Sequence, residues 1–314
     1  MPRPDDLILA REVQPSELAR SAARGELRRI RTGAYTGDRD TARTPQERAR
    51  RRRVLLAHAV HRQLRAGHTF SHVTAAALWG CALWRAPDRT HLVQAYRPSS
   101  RAAPDLARHI GVVPTQEQVE IDGLPVTDLG RTLVDCAVTI HPLDALVIAD
   151  SALGRWPSLD LDRARSLLDA RGRVNGSRRA RWVLDHVDGG ADSPGESWVR
   201  YICLRAGLPR PRTQAPVVTA GRTYHCDLGW QEHGVYVEFD GRVKYTDGGV
   251  RPGHDATQEL LREKRRADAL HEAGVLPVRV MSGESVTGVG EKVLSRFPAG
   301  VRRQVRPLRF LPAP

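Results

Sequence analysis

The segment that most constrains the fold is a pair of short strand-like stretches late in the chain. Thr223–Trp230 and Val235–Asp240 are separated by Gln231–Gly234, a four-residue connection that ends in glycine. This arrangement predicts an antiparallel β-hairpin, because short strands joined by a glycine-containing loop pair with each other. A hairpin alone is marginally stable in water. The C-terminal part of the chain must therefore build a larger sheet around it.

The hairpin places acidic side chains together. Trp230 would lie opposite Val235, and counting back along the strands sets Asp227 opposite Glu238 on the same face. Opposed residues have Cβ atoms about 4.5–5.5 Å apart, and two carboxylates so close repel each other unless a positive charge lies between them. With Asp240 on the same face, the three acids predict a ligand set for a hard divalent cation such as Mg²⁺. The alternative is a solvated acidic face on an edge hairpin.

Helical and extended patterns surround the hairpin. We expect a helix over 193–207 and a short extended stretch over 214–218. A second helix over 259–273 precedes a last strand over 275–281, which should run parallel to an inner strand. Helix, hairpin, helix and strand together predict an α/β domain around a mixed sheet within residues 193–297.

An acidic pocket is unexpected in a chain with this charge. Lysine and arginine number 49 against 36 acidic residues, and the net charge of +13 favours polyanion partners, DNA first. Phosphodiester hydrolysis reconciles the two features, because a bound metal ion polarises the phosphoryl oxygen and generates hydroxide near neutral pH. A lysine near the metal would stabilise the transition-state charge. Only Lys244, Lys264 and Lys292 are lysine, and the other 49 − 3 = 46 basic residues are arginine.

Several patches in order resemble one nuclease superfamily. The spacing Asp227, ten residues, then Glu238-Phe239-Asp240-Gly241 resembles the PD-(D/E)XK nucleases, and more narrowly the branch related to very-short-patch-repair endonucleases. The resemblance covers about 193–285 and implies a restriction-endonuclease-like domain that cleaves DNA with Mg²⁺, or with Mn²⁺ in its place. The other matching patches are Glu196 on the preceding helix, the segment Glu263-Lys264-Arg265-Arg266, and Leu270, Gly274 and Val278-Arg279-Val280.

One position departs from the general motif of that superfamily. Asp240 stands where the motif has lysine, although the branch often carries this acidic form. The resemblance therefore gives the cationic catalytic role to Lys244, four residues on, or to Lys264 on the following helix. Arg262 and Arg266 on that helix are expected to contact phosphate or solvent.

Glu196 has two interpretations. The resemblance places it among the catalytic acids, with Asp227, Glu238 and Asp240. Ser193-Pro194-Gly195-Glu196 is also a helix-capping box with proline in the favoured first position, which explains Glu196 without catalysis. The two roles are compatible with each other.

Residues 1–38 predict a small DNA-binding unit. A helix from Pro15 to Arg24 is stopped by Gly25, and two short strands follow over 27–31 and 34–35. A helix followed by a two-stranded wing is typical of a winged helix. Its basic residues would face phosphates, or else form a solvated basic surface: Arg20, Arg24, Arg28, Arg29 and Arg31.

Residues 44–186 predict a mixed, helix-rich domain without catalytic chemistry. The expected helices are 48–64, 72–79, 129–137 and 143–152, and the expected strands are 90–95 and 111–113. Four histidines lie near one another in sequence, and we interpret them as satisfied or exposed side chains rather than a metal site: His58, His61, His68 and His72. Residues 187–195 predict a flexible linker, and the Pro/Arg-rich tail 298–314 predicts little regular structure.

Three patches of the N-terminal half resemble another family. GELRRIRTGAY, SHVTAAALWG and DGLPVTDLGRTLVDCA follow the order found in AbiEi-like abortive-infection antitoxins, over roughly residues 10–155. That resemblance implies an operator-binding winged helix and regulation of a toxin–antitoxin operon. It does not identify a toxin or any other defence partner.

The fold class we predict is α/β in the wider sense, an α+β multidomain chain with a winged helix, a helix-rich middle and a restriction-endonuclease-like sheet. The favoured function is a metal-dependent DNA endonuclease, and the alternative is a non-catalytic regulator or antitoxin with a degenerate nuclease fold. Scattered cysteines, the absence of a signal-peptide pattern and the absence of long apolar stretches favour the cytoplasm and no membrane partner. A homodimer is left open.

Overall fold

The computed structural model describes residues 7–37, 45–85, 88–96, 103–241 and 256–314. It divides the chain into two compact units. The N-terminal unit comprises Met1–Ile140 and Arg155–Asp185, and the C-terminal unit comprises His141–Gly154 and His186–Pro314. Both units combine helices with sheet, so the chain is a multidomain α/β protein as predicted.

A small three-stranded sheet opens the N-terminal unit. Strands β1 (Leu7–Leu9), β2 (Arg28–Arg31) and β3 (Ala34–Thr36) pair antiparallel in the order β1-β3-β2. Helix α1 (Pro15–Ala23) precedes β2, and helix α2 (Pro45–Gln63) covers the sheet. The shared core combines apolar strand residues with the α2 side: Leu7, Leu9, Ile30, Ala34, Leu55 and Ala59. The predicted helix and the two short strands after it are therefore present, in a sheet to which β1 adds a third strand.

A mixed five-stranded sheet forms the rest of this unit. Its order is β6-β5-β4-β8-β7, with β5–β6 and β4–β8 parallel and the other pairs antiparallel. The strands are β4 (Thr69–Phe70), β5 (Thr90–Gln94), β6 (Leu106–Ile110), β7 (Gln118–Ile121) and β8 (Leu124–Thr127). The predicted strand at 111–113 was wrong, because β6 ends at Ile110.

Helices cover the five-stranded sheet. Helices α2 and α3 (His72–Leu78) contribute Val54, Ala57, Ala75 and Leu78 to the core against the strands. Helix α4 (Leu129–Thr139) packs against α3 and against two later helices. These two are α6 (Leu161–Ala170) and α7 (Ser177–Asp185).

The C-terminal unit is built on a four-stranded sheet with the order β12-β11-β10-β9. Strands β9 (Arg212–Val218), β10 (Thr223–Trp230) and β11 (Val235–Asp240) form an antiparallel meander. Strand β12 (Val278–Met281) runs parallel to β11, as predicted. The predicted hairpin is confirmed with its bounds, and Trp230 pairs with Val235.

Helices flank this sheet. Helix α8 (Pro194–Arg205) begins at Ser193, whose side chain accepts the Glu196 backbone N–H, so the predicted cap is present. Helix α9 (Ala256–Glu272) contributes Leu270 to a core with Ala215, Val217, Cys226 and Tyr236. The remaining helices are α5 (Pro142–Arg155), α10 (Val286–Leu294) and α11 (Ala299–Gln304).

Helix α5 packs with the C-terminal unit, although the sequence pattern places it in the middle domain. Both oxygens of buried Asp150 on α5 accept from the Arg200 guanidinium on α8, at 2.6 Å each, and Ser197 donates to the same carboxylate at 2.7 Å. Neither member of this pair reaches solvent. The fold tolerates two such charges because each satisfies the other.

Two segments expected to be loosely structured are packed instead. In the predicted linker 187–195, Asp188 accepts from Thr213 Oγ1 at 2.7 Å and its backbone N–H donates to Asp150 at 2.9 Å. In the predicted tail, α11 is helical and Leu311 is buried. Tyr201 on α8 donates to the Pro312 carbonyl at 2.8 Å. Proline and glycine content misled the prediction because it reports local backbone preference only, whereas these contacts come from distant strands and helices.

Within the part of the chain that the structure describes, no helix is both long enough and apolar enough to cross a membrane.

Candidate functional site

The predicted acids lie where two strands separate. Backbone pairing between β10 and β11 runs only from Leu228–Val237 to Trp230–Val235. Beyond it, β11 continues beside β12, while β10 continues beside β9. Asp227 and Glu238 are the first residues past the separation, so their side chains border the opening rather than a closed sheet surface.

Asp227 sits at a local break in strand geometry. Gln214 lies on the neighbouring strand β9, between the residues that pair with Cys226 and Leu228. It has a left-handed φ of 44°, which a non-glycine residue rarely adopts. One oxygen of Asp227, Oδ2, accepts the Phe239 backbone N–H at 2.6 Å. The carboxylate therefore takes the place of a backbone acceptor between β10 and β11. Burial raises the pKa of Asp227, and the Glu238 charge adds to that increase.

Glu238 is paired with arginine. Its Oε1 lies 2.7 Å from Arg266 Nη2 on α9, and the same guanidinium group donates to the His225 carbonyl at 2.7 Å. The Cys226 thiol lies 3.8 Å from Glu238 Oε1, and burial raises the pKa of that thiol to about 12. The positive charge that the two carboxylates need is thus supplied in this structure by Arg266.

The acids border a cleft of about 160 Å³, which is lined by both acidic and basic side chains. Arg279 on β12 lies 3.6 Å from Glu263 on α9, so a second guanidinium group borders the acids. The cleft is lined by Asp227, Glu238, Phe239, Asp240, Glu263, Arg266 and Arg279. Carboxylate oxygens and two guanidinium groups therefore face one small space.

Glu196 is buried at the start of α8 and its carboxylate is held by neighbours. It accepts from the Asp192 backbone N–H at 2.9 Å and from Ser193 Oγ at 2.8 Å. Burial raises the pKa of Glu196 to about 7, and the negative charge of Asp227 is the next cause. The helix-capping interpretation is therefore supported by contacts, and Asp227 lies within electrostatic reach of the same carboxylate.

The predicted cations are placed differently. Lys264 on α9 is exposed and does not line the cleft, and Arg262 is exposed too. Lys244 lies outside the described residues. Arg266, which was predicted to contact phosphate or solvent, is ion-paired with Glu238 and lines the cleft. Arg279, which was matched only as part of the patch Val278-Arg279-Val280, lines the cleft too.

The three predicted metal ligands share a cleft without meeting at one point. Among the described residues, the one group of three or more His, Cys, Asp or Glu side chains with ligand atoms all within 4.8 Å of one another is His72, His91 and His109. Asp227, Glu238 and Asp240 do not form such a group. The prediction of a shared metal ion at these acids stays a prediction.

The histidine group was missed by sequence reasoning, which considered His72 only with its sequence neighbours. Burial and the neighbouring histidines lower the pKa of His72 to about 2 and that of His91 to about 4. Burial also lowers the pKa of His109. His91 and His109 lie on different strands with no motif spacing, so only the fold brings the three rings together.

The predicted DNA-binding arginines divide into exposed and paired residues. Arg20, Arg28 and Arg29 are exposed on α1 and β2. Arg24 is exposed and forms an ion pair with Glu26 at 2.6 Å. Arg31 has only 9% of its side chain exposed and pairs with Asp105 at 2.9 Å. Arg31 therefore serves the packing of the N-terminal unit rather than a surface for phosphate.

Comparisons with known proteins give relatives without a described activity. No family model matches the chain. Two proteins of Mycobacterium tuberculosis, described as uncharacterized proteins MT2308 and Rv2248, are each 26% identical over 210 residues, covering 66% of this chain and 72% of the relative. The crystal structure of the RV2827C protein from Mycobacterium tuberculosis matches with a TM-score of 0.35 and 18% identity, over 61% of this chain and 74% of that one.

Proposed function

We propose that the C-terminal unit is a Mg²⁺-dependent DNA endonuclease. The observation that carries the proposal is the convergence of Asp227 and Glu238 at the separation of β10 and β11, with the charge of Asp227 acting on buried Glu196. The Glu238 charge raises the pKa of Asp227, and the Asp227 charge raises that of Glu196. Acids with raised pKa values are costly for a fold, and such groups cluster at functional sites. The strand order and the flanking helices agree with the nuclease-like arrangement predicted from the sequence.

The donor chemistry fits a hard divalent cation. Asp227 and Glu238 each have one carboxylate oxygen engaged, by the Phe239 amide and by Arg266 respectively, and both residues line the cleft. Those two residues would hold the ion, with Asp240 on the same wall. When bound, Mg²⁺ supplies polarisation of a phosphoryl oxygen and a water molecule of lowered pKa.

The protein's own residues position the substrate and hold a proton. Arg266 and Arg279 face the acids and provide the planar guanidinium groups that bind phosphate oxygens. Arg266 neutralises Glu238 in the free protein and would exchange that contact for phosphate as the substrate enters. Glu196 retains its proton up to about pH 7, so it is matched to proton transfer near neutral pH.

DNA is the substrate class that the chain's charge favours. The net charge of +13 attracts a polyanion, and the exposed arginines Arg20, Arg28 and Arg29 lie on the helix and wing of the N-terminal unit. In this proposal the N-terminal unit contributes affinity and the C-terminal unit contributes cleavage.

The proposal is tested by cleavage of supercoiled, nicked and mismatched duplex DNA with Mg²⁺ or Mn²⁺. We expect metal-dependent cleavage that falls by at least about 100-fold in Asp227→Asn and in Glu238→Gln, which is the scale for losing one group that stabilises transition-state charge. Glu232→Gln is the matched control, since Glu232 is an exposed acid in the turn of the same hairpin. Absence of cleavage on every substrate, with DNA binding intact, would exclude the endonuclease.

A second candidate is a non-catalytic DNA-binding regulator of a toxin–antitoxin operon. The observation that favours it is the Arg266–Glu238 ion pair, which satisfies the acids without a metal, together with the exposed position of Lys264. This candidate predicts sequence-specific DNA binding that is unchanged by Asp227→Asn and Glu238→Gln. A gel-shift titration of those variants beside the cleavage assay separates the two functions.

A further inference from the structure

The three histidines of the N-terminal unit form a built cluster. His91 and His109 lie on the parallel strands β5 and β6, where His91 pairs with Ala107 and Val93 pairs with His109. The two histidines therefore lie on the same face of the sheet, two register positions apart. Helix α3 adds His72 to this face, and the Ser71 backbone N–H donates to the His91 carbonyl at 3.2 Å.

The rings are brought close in a fixed arrangement. His91 Nδ1 lies 3.1 Å from His109 Nε2, and the rings of His72 and His109 are nearly parallel with centroids 3.7 Å apart. His72 Nδ1 lies 2.9 Å from Ser71 Oγ. This contact orients the His72 ring and leaves Nε2 as the ring nitrogen that can bind a metal ion. One ligand atom from each of the three lies within 4.8 Å of the other two.

Two further observations distinguish this cluster from a chance contact of histidines. His72 has a left-handed φ of 52°, a conformation that costs free energy in a non-glycine residue and recurs at functional sites. Asp135 is 2% exposed, and its Oδ1 accepts from both Arg131 and Arg171. Its other oxygen, Oδ2, is buried and has no hydrogen-bond partner among the described residues. The charge of Asp135 acts on His109.

We propose that His72, His91 and His109 bind one divalent transition-metal ion, Zn²⁺ foremost, and leave a coordination position open. Imidazole nitrogen is a preferred ligand for Zn²⁺, and three protein ligands with a fourth position for water or substrate are typical of reactive rather than closed structural zinc sites. Asp135, whose charge acts on His109, would offset the charge of the ion. The site depends on none of the acidic-cleft residues.

Coordination makes two specific structural demands. The contact between His91 Nδ1 and His109 Nε2 must be replaced by bonds from each ring to the ion, and the stacked rings of His72 and His109 must turn out of their parallel arrangement. The sheet and α3 hold the three side chains at the required spacing, so both changes involve ring rotation only and no rearrangement of β5 or β6. Metal binding should therefore stabilise the folded state without altering the helix content.

The test uses the full chain, stripped with EDTA and titrated with Zn²⁺ and Co²⁺ by calorimetry and visible absorption. We expect one high-affinity Zn²⁺ ion per chain at the histidines, ahead of any ion at the acidic cleft, and a rise in melting temperature. With one equivalent of Zn²⁺, the X-ray absorption spectrum of the wild type should report three imidazoles and no thiolate. His91→Gln and His109→Gln should each weaken binding by more than about 100-fold, because loss of a ligand exceeds the roughly 10–100-fold cost of an outer-carboxylate change.

Controls locate the ion and keep the result interpretable. His61 and His68 form a comparable pair, with His61 Nδ1 3.2 Å from His68 Nε2, but among the described residues they belong to no group of three ligands. His68→Gln should therefore leave Zn²⁺ binding unchanged. Asp135→Asn should weaken it by about 10–100-fold, and Glu238→Gln should not affect it. No Zn²⁺ uptake by the folded wild type overturns the site, as does binding that survives His91→Gln or is lost in His68→Gln. If a variant unfolds, the X-ray absorption spectrum of the Zn²⁺-loaded wild type tests the site instead, because a spectrum without three imidazole ligands contradicts it.

Discussion

At the residue scale, Glu196 serves two roles through one carboxylate. It receives hydrogen bonds from Asp192 and Ser193, which fix the start of α8, and it lies within electrostatic reach of Asp227. A capping acid usually stays ionised near a positive helix terminus. Here burial dominates, and the protonated form is favoured up to about pH 7. The residue is therefore a helix cap whose protonation responds to the acidic cleft.

This shift predicts a pH-dependent stability. Because the pKa of Glu196 is raised from 4.5 to about 7, its contribution is fully present below pH 4.5 and is lost as the pH rises through about 7. Glu196→Gln imitates the protonated form at every pH. As the pH rises, the free energy of unfolding of Glu196→Gln should therefore increase relative to that of the wild type. The difference should reach about 3 kcal/mol when Glu196 of the wild type is fully deprotonated.

Urea unfolding in EDTA between about pH 4.5 and 8.5 measures the difference. Glu232→Gln, the same change at an exposed acid, should give a difference that does not vary with pH. A flat profile for Glu196→Gln would show that the carboxylate titrates normally and would contradict the burial argument.

At the element scale, α8 approaches β11 so closely that only glycine fits at the contact. A Cβ placed on Gly195 would lie 2.0 Å from the Phe239 ring, which itself packs edge-on to Trp198. This contact holds the first turn of α8, and with it Glu196, against the strand that carries Glu238. Helix position and cleft geometry are therefore coupled through one residue.

Gly195→Ala should destabilise the chain by about 1–3 kcal/mol, since overpacking forces the aromatic ring to move. Gly300→Ala on α11 is the control, because nothing lies within 4 Å of the added Cβ there, and alanine favours the helix. Thermal unfolding of both variants, with Phe239→Leu added to Gly195→Ala as a rescue, measures the effect. Equal stability of Gly195→Ala and the wild type would show that α8 shifts without cost.

At the scale of the whole molecule, charge is distributed unevenly between surface and cleft. Arginine supplies 46 of the 49 positive charges behind the net charge of +13, whereas the cleft concentrates carboxylates and pairs one of them with Arg266. Basic surfaces that bind phosphate release counterions, so their affinity depends on salt. An acidic cleft repels phosphate unless a cation lies in it, so under the proposed function the entry of DNA would depend on a metal ion or on Arg266.

The salt dependence of DNA binding should report which arginines contact phosphate. Replacing Arg28 and Arg29 together by alanine should lower the slope of log affinity against log salt by about 2, at roughly 0.9 per lost phosphate contact. Replacing the exposed pair Arg302 and Arg303 changes the net charge equally. Fluorescence anisotropy over a salt series compares them. An equal change in both double variants would mean that bulk charge, and not the wing, determines the affinity.

The amino-acid sequence by itself determined the elements that depend on neighbouring residues. The hairpin bounds and the Trp230–Val235 pair follow from strand alternation and a glycine-terminated turn, and the start of α8 follows from Ser193 and Pro194. The small N-terminal helix and wing were predicted on the same basis. Each of these features is encoded by residues a few positions apart, where backbone preference and side-chain spacing are sufficient.

Only the tertiary structure decided how distant residues meet. The separation of β10 from β11 at Asp227 depends on pairing with β9 and β12, and the Arg266–Glu238 pair depends on how α9 packs. The ordered segment after Asp185 is held by contacts such as Asp188 with Thr213, which no local composition reveals. His72, His91 and His109 share a site because a parallel strand pair and a helix bring them together. Burial and long-range hydrogen bonds stabilise these contacts. Because the residues are far apart along the chain, their spacing in the sequence does not predict that they meet.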